Sequence, residues 1–175
     1  MVPNTPIEKD EVIAENYLPS SKFRSSGFDG FMQDYIFMDH DRVVEIDKSI
    51  EDLSTIAYSE LVSVSWHAIQ RFSRKSHAYK SSFGIWGDGN LGYITAVLLH
   101  KLYPEAKLYV FGKTDYKLSH FSFVDQVYHI DEIPSDLTFD HAFECVGGKG
   151  SQSAVEQIID LISPEGTISL FGVSE

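Results

Sequence analysis

The chain has 175 residues, 43% of them hydrophobic and 23% charged, which is typical of a folded globular protein long enough to bury one core. A net charge of −12, together with the lack of any run near the ~18 apolar residues of a membrane span, argues against nucleic-acid and membrane partners. The single cysteine, Cys145, excludes an internal disulfide and a zinc site built from several cysteines of this chain, and it fits a reducing, cytoplasmic compartment.

The first part of the chain carries short β signals. Residues 27–30 (Gly-Phe-Asp-Gly) predict a turn, while residues 31–37 alternate like a strand and residues 42–46 (Arg-Val-Val-Glu-Ile) predict a second short strand. These segments look like the end of a small β domain without the strands that they would pair with. Residues 54–72 then predict a helix with Val64 and Phe72 on its apolar face.

From residue 82 onward, apolar segments of strand length alternate with helical patterns. Strands are predicted at 83–86, 108–111, 126–129, 141–145 and 167–171, and helices at about 90–103, 115–122 and 151–162. Apolar strands separated by short helices are typical of a parallel sheet covered on both faces. The sequence therefore predicts an α/β protein with a Rossmann-type doubly wound sheet.

A Gly-x-Gly-x-x-Gly pattern at residues 87–92 joins the strand predicted at 83–86 to the helix that follows it. Gly87 allows a tight turn, Gly89 lets the backbone approach a phosphate, and Gly92 lets the helix pack closely on the strand. The N–H groups at the start of the helix face the anion. The segment predicts a dinucleotide pyrophosphate site made by Gly87, Asp88, Gly89, Asn90, Leu91 and Gly92, with a glycine turn that binds nothing as the alternative.

The residues after the second strand decide which dinucleotide fits. Gly112 stands where an NAD site usually carries an acid for the ribose 2′-hydroxyl. Lys113 and Lys117 offer ammonium groups to a 2′-phosphate and Thr114 offers a hydroxyl, so NADP(H) is predicted. The alternative is that Lys113 and Lys117 are solvated surface lysines that bind no phosphate. Asp115 is the main objection, because a shifted strand end would present it to the ribose, but the first turn of a helix also favours an acid.

The ends of the fourth and fifth predicted strands supply the remaining cofactor candidates. Cys145, Val146, Gly147 and Val173 follow apolar segments, and the carboxyl ends of parallel strands line the ligand crevice of such sheets. We expect these residues near the nicotinamide ribose. No base is positioned in the sequence to make Cys145 a nucleophile.

Several segments in the same order resemble the medium-chain dehydrogenases/reductases. Residues 27–35 and 41–46 resemble the end of the family's GroES-like catalytic domain, and residues 60–69 its link into the nucleotide domain. Residues 139–147 and 166–173 resemble its fourth and fifth strands. The resemblance implies that residues 1–48 are the C-terminal part of a GroES-like domain. Residues 49–175 would be a Rossmann domain without its last strand and return helix, so a fragment of a longer enzyme is expected.

Within that family, residues 16–30 and 111–114 resemble the ribulose-5-phosphate reductases, which use NADPH to make ribitol 5-phosphate for teichoic acids or capsule. This likeness implies a sugar-phosphate substrate, a homodimer when full length and a cytidylyltransferase of the same pathway as a further partner. It also implies a catalytic zinc whose ligands would lie mainly upstream, so the fragment alone is expected to bind cofactor without turnover.

The resemblance offers one candidate for zinc binding, and the residue chemistry offers one for the substrate phosphate. Glu60 corresponds to the glutamate that related polyol dehydrogenases place at or beside the zinc, and its apolar neighbours Ala57 and Leu61 predict an inward direction. A solvated acid at a helix start is the alternative. Arg24 is the candidate for the substrate phosphate, with an exposed loop arginine as the alternative.

Three rival functions stay open. An NAD-dependent polyol or alcohol dehydrogenase would differ in cofactor preference. A non-catalytic Rossmann module that senses a nucleotide would not need Glu60 or a catalytic-domain tail. A methyltransferase generally carries an acid at the end of the second strand, where this chain has Gly112.

Overall fold

The computed structural model describes residues 4–5 and 8–171. The chain divides into two compact units, with the boundary between Asp52 and Leu53. No helix of the described residues is long and apolar enough to cross a membrane. The assignment of the first unit to a GroES-like domain stays a prediction.

The first unit contains three short strands, in the order β1 (Asn4–Thr5), β2 (Lys22–Arg24) and β3 (Gly27–Phe28). The turn predicted at residues 27–30 is therefore wrong, because its first half forms β3. The strands predicted at 31–37 and 42–46 are also wrong, since neither segment joins a sheet among the described residues. An extended segment needs a neighbouring strand to satisfy its backbone N–H and C=O groups, and alternation alone does not provide one.

The second unit begins with a 3₁₀ segment, Leu53–Tyr58, that leads into helix α1 (Ser59–Lys75). The predicted helix over 54–72 thus starts later and ends later than expected. Its buried residues are Ser65, Ile69 and Phe72, which share one face, whereas Val64 is 38% exposed and the prediction for it is wrong. Ser65 is polar but can lie on the buried face, because its hydroxyl forms a hydrogen bond of 3.0 Å with the hydroxyl of Thr95.

The rest of the unit alternates strand and helix as predicted. Its elements are β4 (Ser82–Trp86), α2 (Asn90–Leu102), β5 (Lys107–Gly112), α3 (Asp115–Leu118), β6 (Gln126–His129), β7 (Phe139–Glu144), α4 (Ser151–Leu161) and β8 (Ile162–Leu170). The five strands are all parallel, in the order β6-β5-β4-β7-β8. The predicted fold class is confirmed.

Helix α3 is shorter than the eight residues predicted for it. The Ser119 hydroxyl donates to the Tyr116 carbonyl at 2.7 Å, and His120 Nδ1 lies 2.7 Å from the same oxygen. Phe121 N then bonds to Leu118 O, three residues back, so the last turn tightens. Ser and His side chains that compete for backbone groups explain why the apolar pattern overestimated this helix.

Helices cover the sheet on both faces. On one face Phe83 and Ile85 of β4 pack with Ile69 of α1 and Leu99 of α2. On the other face Trp86 packs with residues of α4 such as Ile158. Successive residues of β4 point to opposite faces, which is why an uninterrupted apolar strand is needed here.

The order of the strands creates a crevice. The chain leaves β4 toward β5 on one side and returns to β7 on the other, so the connections diverge at the carboxyl end of β4. In doubly wound sheets ligands bind at this switch point. Apart from Val173, which follows β8 in sequence and lies outside the described residues, the residues predicted to bind a nucleotide lie at or after the ends of β4, β5 and β7.

Candidate nucleotide-binding site

A cavity of about 390 Å³ opens at the carboxyl ends of β4, β5 and β7. Its volume is within the usual range for a small-molecule site. The structure brings three separate segments together here. The predicted residues that line the cavity are Gly87, Asp88 and Gly89 after β4, Gly112, Lys113, Thr114 and Lys117 at and after the end of β5, and Cys145 and Val146 after β7.

The three motif glycines face different surroundings. Gly87 has φ +122°, and a Cβ there would lie 2.9 Å from the Cys145 carbonyl oxygen. A Cβ at Gly92 would lie 2.0 Å from the Gly87 carbonyl oxygen, so helix α2 packs directly on the turn. Around a Cβ at Gly89, by contrast, no atom of the described residues lies within 4 Å. Packing therefore requires glycine at 87 and 92, whereas at 89 a side chain would enter open space in the cavity.

The start of α2 offers unused backbone donors to the cavity. Gly89 is the N-cap of this helix, and no side chain of the described residues caps it. The first N–H groups of an α-helix have no intrahelical acceptor, and the helix dipole favours negative charge beside them. This end of α2 is therefore suited to a phosphate.

The end of β5 is held by two side chains, one from the glycine turn after β4 and one from the end of β6. Asp88 Oδ2 accepts hydrogen bonds from the backbone N–H groups of Lys113 at 3.0 Å and Thr114 at 2.8 Å. His129 Nε2, at the end of β6, lies 3.0 Å from the Lys113 carbonyl oxygen. The backbone of Lys113 is thus bonded on both sides, while its side chain is exposed at the cavity. Asp115 is the first residue of α3 and not part of the strand end.

The end of β7 is held in a similar way. Glu144 is fully buried, and its Oε1 accepts from the N–H groups of Val146 and Gly147, both at 2.8 Å. Burial raises the pKa of the neighbouring Cys145 thiol to about 12, so the thiol is protonated near neutral pH. Cys145 therefore packs beside the cavity and is not a nucleophile.

The far wall of the cavity contains residues that the sequence did not single out. They come from the end of β6 and the start of α4: Ile130, Gly150, Ser153, Ala154 and Gln157. The Gln157 amide accepts from the Trp86 indole N–H and donates to the Ile130 carbonyl, both at 3.0 Å. The signal for this wall was available, because glycines at 147, 148 and 150 precede helix α4 and allow its start to approach a ligand.

Some predicted residues do not line the cavity. Asn90, Leu91, Gly92 and Gly147 belong to the same segments but are not among the residues that line it, and Val173 lies outside the described residues. Arg24 belongs to the first unit, where its guanidinium donates to the Phe37 carbonyl at 3.2 Å. Its substrate role stays a prediction.

Glu60 does not point inward, which corrects the expectation from its apolar neighbours. It is exposed in the first turn of α1, where the helix dipole stabilises an acid in water. Among the described residues, no three His, Cys, Asp or Glu side chains lie close enough to hold a metal ion. The described residues therefore do not form a metal site by themselves, and a role for Glu60 beside a zinc stays a prediction.

Known proteins match this chain along its whole length. It is 73% identical to ribulose-5-phosphate reductase 2 of Staphylococcus aureus and 59% identical to the ribulose-5-phosphate reductase of Bacillus spizizenii, in each case over 175 residues that make up 51% of the relative. The chain is therefore similar to one half of these ribulose-5-phosphate reductases. It spans about half the length of the curated relatives it matches. No family model matches it.

Solved structures agree with the fold. The crystal structure of S. aureus TarJ in complex with NADPH superimposes with a TM-score of 0.77 at 70% identity, over 83% of this chain and 45% of that one. Galactitol-1-phosphate dehydrogenase from Escherichia coli superimposes with a TM-score of 0.81 at 18% identity, over 99% of this chain and 52% of that one. The second match shows a shared fold at low identity. Together these structures support the Rossmann-type fold of the second unit.

Proposed function

We propose that this chain forms the NADP(H)-binding part of a reductase that converts ribulose 5-phosphate to ribitol 5-phosphate. The observation that carries the proposal is the end of β5, where buried Gly112 replaces an acid and Lys113 and Lys117 line the cavity. The relatives named ribulose-5-phosphate reductase support the substrate, and the NADPH in the S. aureus TarJ crystal supports the cofactor.

The cavity suggests how the cofactor would lie. Its pyrophosphate would meet the free N–H groups at the start of α2, beside Gly89. Its 2′-phosphate would meet the Lys113 ammonium and the Thr114 hydroxyl, with Lys117 one turn further along. The nicotinamide end would extend toward the end of β7, where Cys145 and Val146 line the cavity and Glu144 fixes the loop.

NADPH, when bound, would supply the hydride that reduces the C2 carbonyl of the ketose phosphate. The residues described here would bind and orient that donor. Glu60 beside a catalytic zinc and Arg24 on the substrate phosphate remain proposals that only the family resemblance supports. The same holds for a homodimer, a cytidylyltransferase partner and a cytoplasmic location.

One observation favours the NAD-dependent polyol dehydrogenase as a second candidate. Asp88 brings a carboxylate to the end of β5, and a carboxylate is the usual partner of a ribose 2′-hydroxyl. Its Oδ2 already accepts two backbone N–H groups, which argues for a structural role over direct ribose binding.

The test is a titration of the chain with NADPH and with NADH, followed by Trp86 fluorescence and by emission of the reduced nicotinamide. We expect NADPH to bind at least about tenfold more tightly, a difference of ~1.4 kcal/mol. The variant Lys113→Ala should lose most of this preference. Lys107→Ala is the matched control, because it removes the same charge at the exposed opposite end of β5. Equal or tighter binding of NADH by the unaltered chain would contradict the proposal and favour the second candidate.

A further inference from the structure

The end of β5 has a steric feature that couples two residues far apart in sequence. A Cβ at Gly112 would lie 2.7 Å from Asp88 Cβ, 2.9 Å from Asp88 Oδ2 and 2.9 Å from Leu118 Cδ2. The space that a side chain at position 112 would need is therefore occupied by the side chain of Asp88. An acid at the end of β5, as in NAD sites, is incompatible with Asp88 where it lies.

The same carboxylate fixes the two residues that follow. Asp88 Oδ2 accepts from Lys113 N and Thr114 N, so the backbone bends around this oxygen. His129 bonds to the carbonyl of Lys113 from the other side, at 3.0 Å. Hydrogen bonds to a charged acceptor are about twice as strong as neutral ones, so Asp88 is the stronger of the two supports.

These bonds also decide which groups are left for a ligand. The N–H groups of Lys113 and Thr114 are already used by Asp88 and cannot serve a phosphate at the same time. The Lys113 ammonium and the Thr114 hydroxyl remain, and both residues line the cavity. A 2′-phosphate would therefore be recognised by side chains whose direction depends on the fixed backbone.

We infer that Asp88 is a positioning residue for cofactor specificity. It takes the place of the strand-end acid at position 112, and together with His129 it holds Lys113 and Thr114 in the direction that a 2′-phosphate requires. This inference rests on the proposed function, since it concerns the same cavity and the same cofactor. It assigns Asp88 no direct contact with the ribose.

The experiment compares 2′,5′-ADP with 5′-AMP, two probes that differ only in the 2′-phosphate. Their dissociation constants are measured by calorimetry for the unaltered chain and for Asp88→Ala, Asp88→Asn and His129→Ala. Asp140→Ala is the matched control. Asp140 Oδ2 also accepts two consecutive N–H groups, from Ser81 at 2.7 Å and Ser82 at 3.0 Å, but at the amino-terminal end of β4, away from the cavity.

We expect the unaltered chain to prefer 2′,5′-ADP by about tenfold or more, and Asp88→Ala to reduce this preference to about threefold or less, while 5′-AMP binding stays within about twofold. Asp88→Asn keeps an acceptor oxygen and should retain more of the preference. His129→Ala should reduce it in part, and Asp140→Ala should leave it unchanged. Amide exchange of Lys113 and Thr114, measured by NMR without any ligand, should accelerate in Asp88→Ala only.

Other results would overturn the inference. If Asp88→Ala weakens 5′-AMP as much as 2′,5′-ADP, or strengthens 2′,5′-ADP, the carboxylate acts on the ribose or the phosphate directly. An unchanged preference in Asp88→Ala would equally contradict it. If the unaltered chain shows no preference, the proposed function fails, while unchanged amide exchange in Asp88→Ala would refute the positioning role separately. Should Asp88→Ala fail to fold, Asp88→Asn provides the test, because a neutral acceptor should hold the two N–H groups less firmly and lower the preference in part, and an unchanged preference would contradict the inference.

Discussion

The two glycines that flank the start of α2 should respond to alanine in opposite ways. In Gly92→Ala the new methyl group would lie 2.0 Å from the Gly87 carbonyl oxygen. That oxygen belongs to a backbone pinned by the Gly87 N to Phe111 O bond of 2.8 Å, so the helix must move to relieve the clash. In Gly89→Ala the methyl group would meet no atom of the described residues within 4 Å, and the backbone there (φ −89°, ψ −176°) suits alanine.

The expected magnitudes follow from these surroundings. Overpacking costs about 1–3 kcal/mol, and the clash at Gly92 involves rigid backbone, so the upper half of that range applies. Alanine inside a helix recovers about 0.8–1.0 kcal/mol relative to glycine. Gly92→Ala should therefore lower the free energy of unfolding by about 1–2 kcal/mol. Gly89→Ala should leave it unchanged or raise it by up to ~1 kcal/mol, because alanine restricts the unfolded chain.

NADPH affinity should distinguish the two variants in the opposite sense, since here Gly89→Ala is the variant that should be impaired. The methyl group of Gly89→Ala enters the cavity where the pyrophosphate is proposed to lie, so NADPH affinity should fall by at least about tenfold, or ~1.4 kcal/mol. Urea unfolding followed by circular dichroism gives the stabilities, and fluorescence titration with NADPH gives the affinities. Full NADPH affinity in Gly89→Ala would refute the placement of the pyrophosphate. A fully stable Gly92→Ala would refute the close packing of α2.

Two further predictions concern buried groups. Burial lowers the pKa of His141, whose Nδ1 accepts from Thr167 N and whose Nε2 bonds to the Tyr79 carbonyl. Its contribution to stability is therefore complete above the ordinary pKa of 6.5 and is lost as pH falls below it. The free energy of unfolding measured with urea should fall more between pH 7.5 and pH 5.5 for the unaltered chain than for His141→Gln. Equal losses in the two proteins would contradict this. Since burial raises the pKa of Cys145 to about 12, iodoacetamide at pH 8 should label it far more slowly in the native protein than in urea, and similar rates would show that the thiol is accessible.

The parallel sheet was predictable because its strands are apolar runs of the right length. The segment at 126–129 matches β6 as predicted, and the predictions for β4, β5 and β7 differ by no more than about two residues, which is ordinary uncertainty at element ends. The first unit was not predictable from local patterns. Its strands have only two or three residues, so pairing partners and not alternation determine where they form.

The cavity was predicted in part, since the glycine motif and the residues after β5 each carry a local signal. The hydrogen bonds that hold these residues in place carry no local sequence signal. Asp88 bonds to residues 25 and 26 positions further along the chain, and His129 to a residue 16 positions before it. Such contacts depend on which strands become neighbours, and the sequence shows the strands without their order. Glu60 fails for the opposite reason, because apolar neighbours in sequence do not place a residue at the start of a helix inside the core.

The most direct test of the account is a crystal structure of this chain with NADPH. We expect the pyrophosphate against the start of α2 beside Gly89, and the 2′-phosphate within hydrogen-bond distance of Lys113 Nζ and the Thr114 hydroxyl, with Asp88 still bonded to the backbone of both residues. A 2′-phosphate turned toward solvent, or a cofactor bound away from the ends of β4, β5 and β7, would contradict the account.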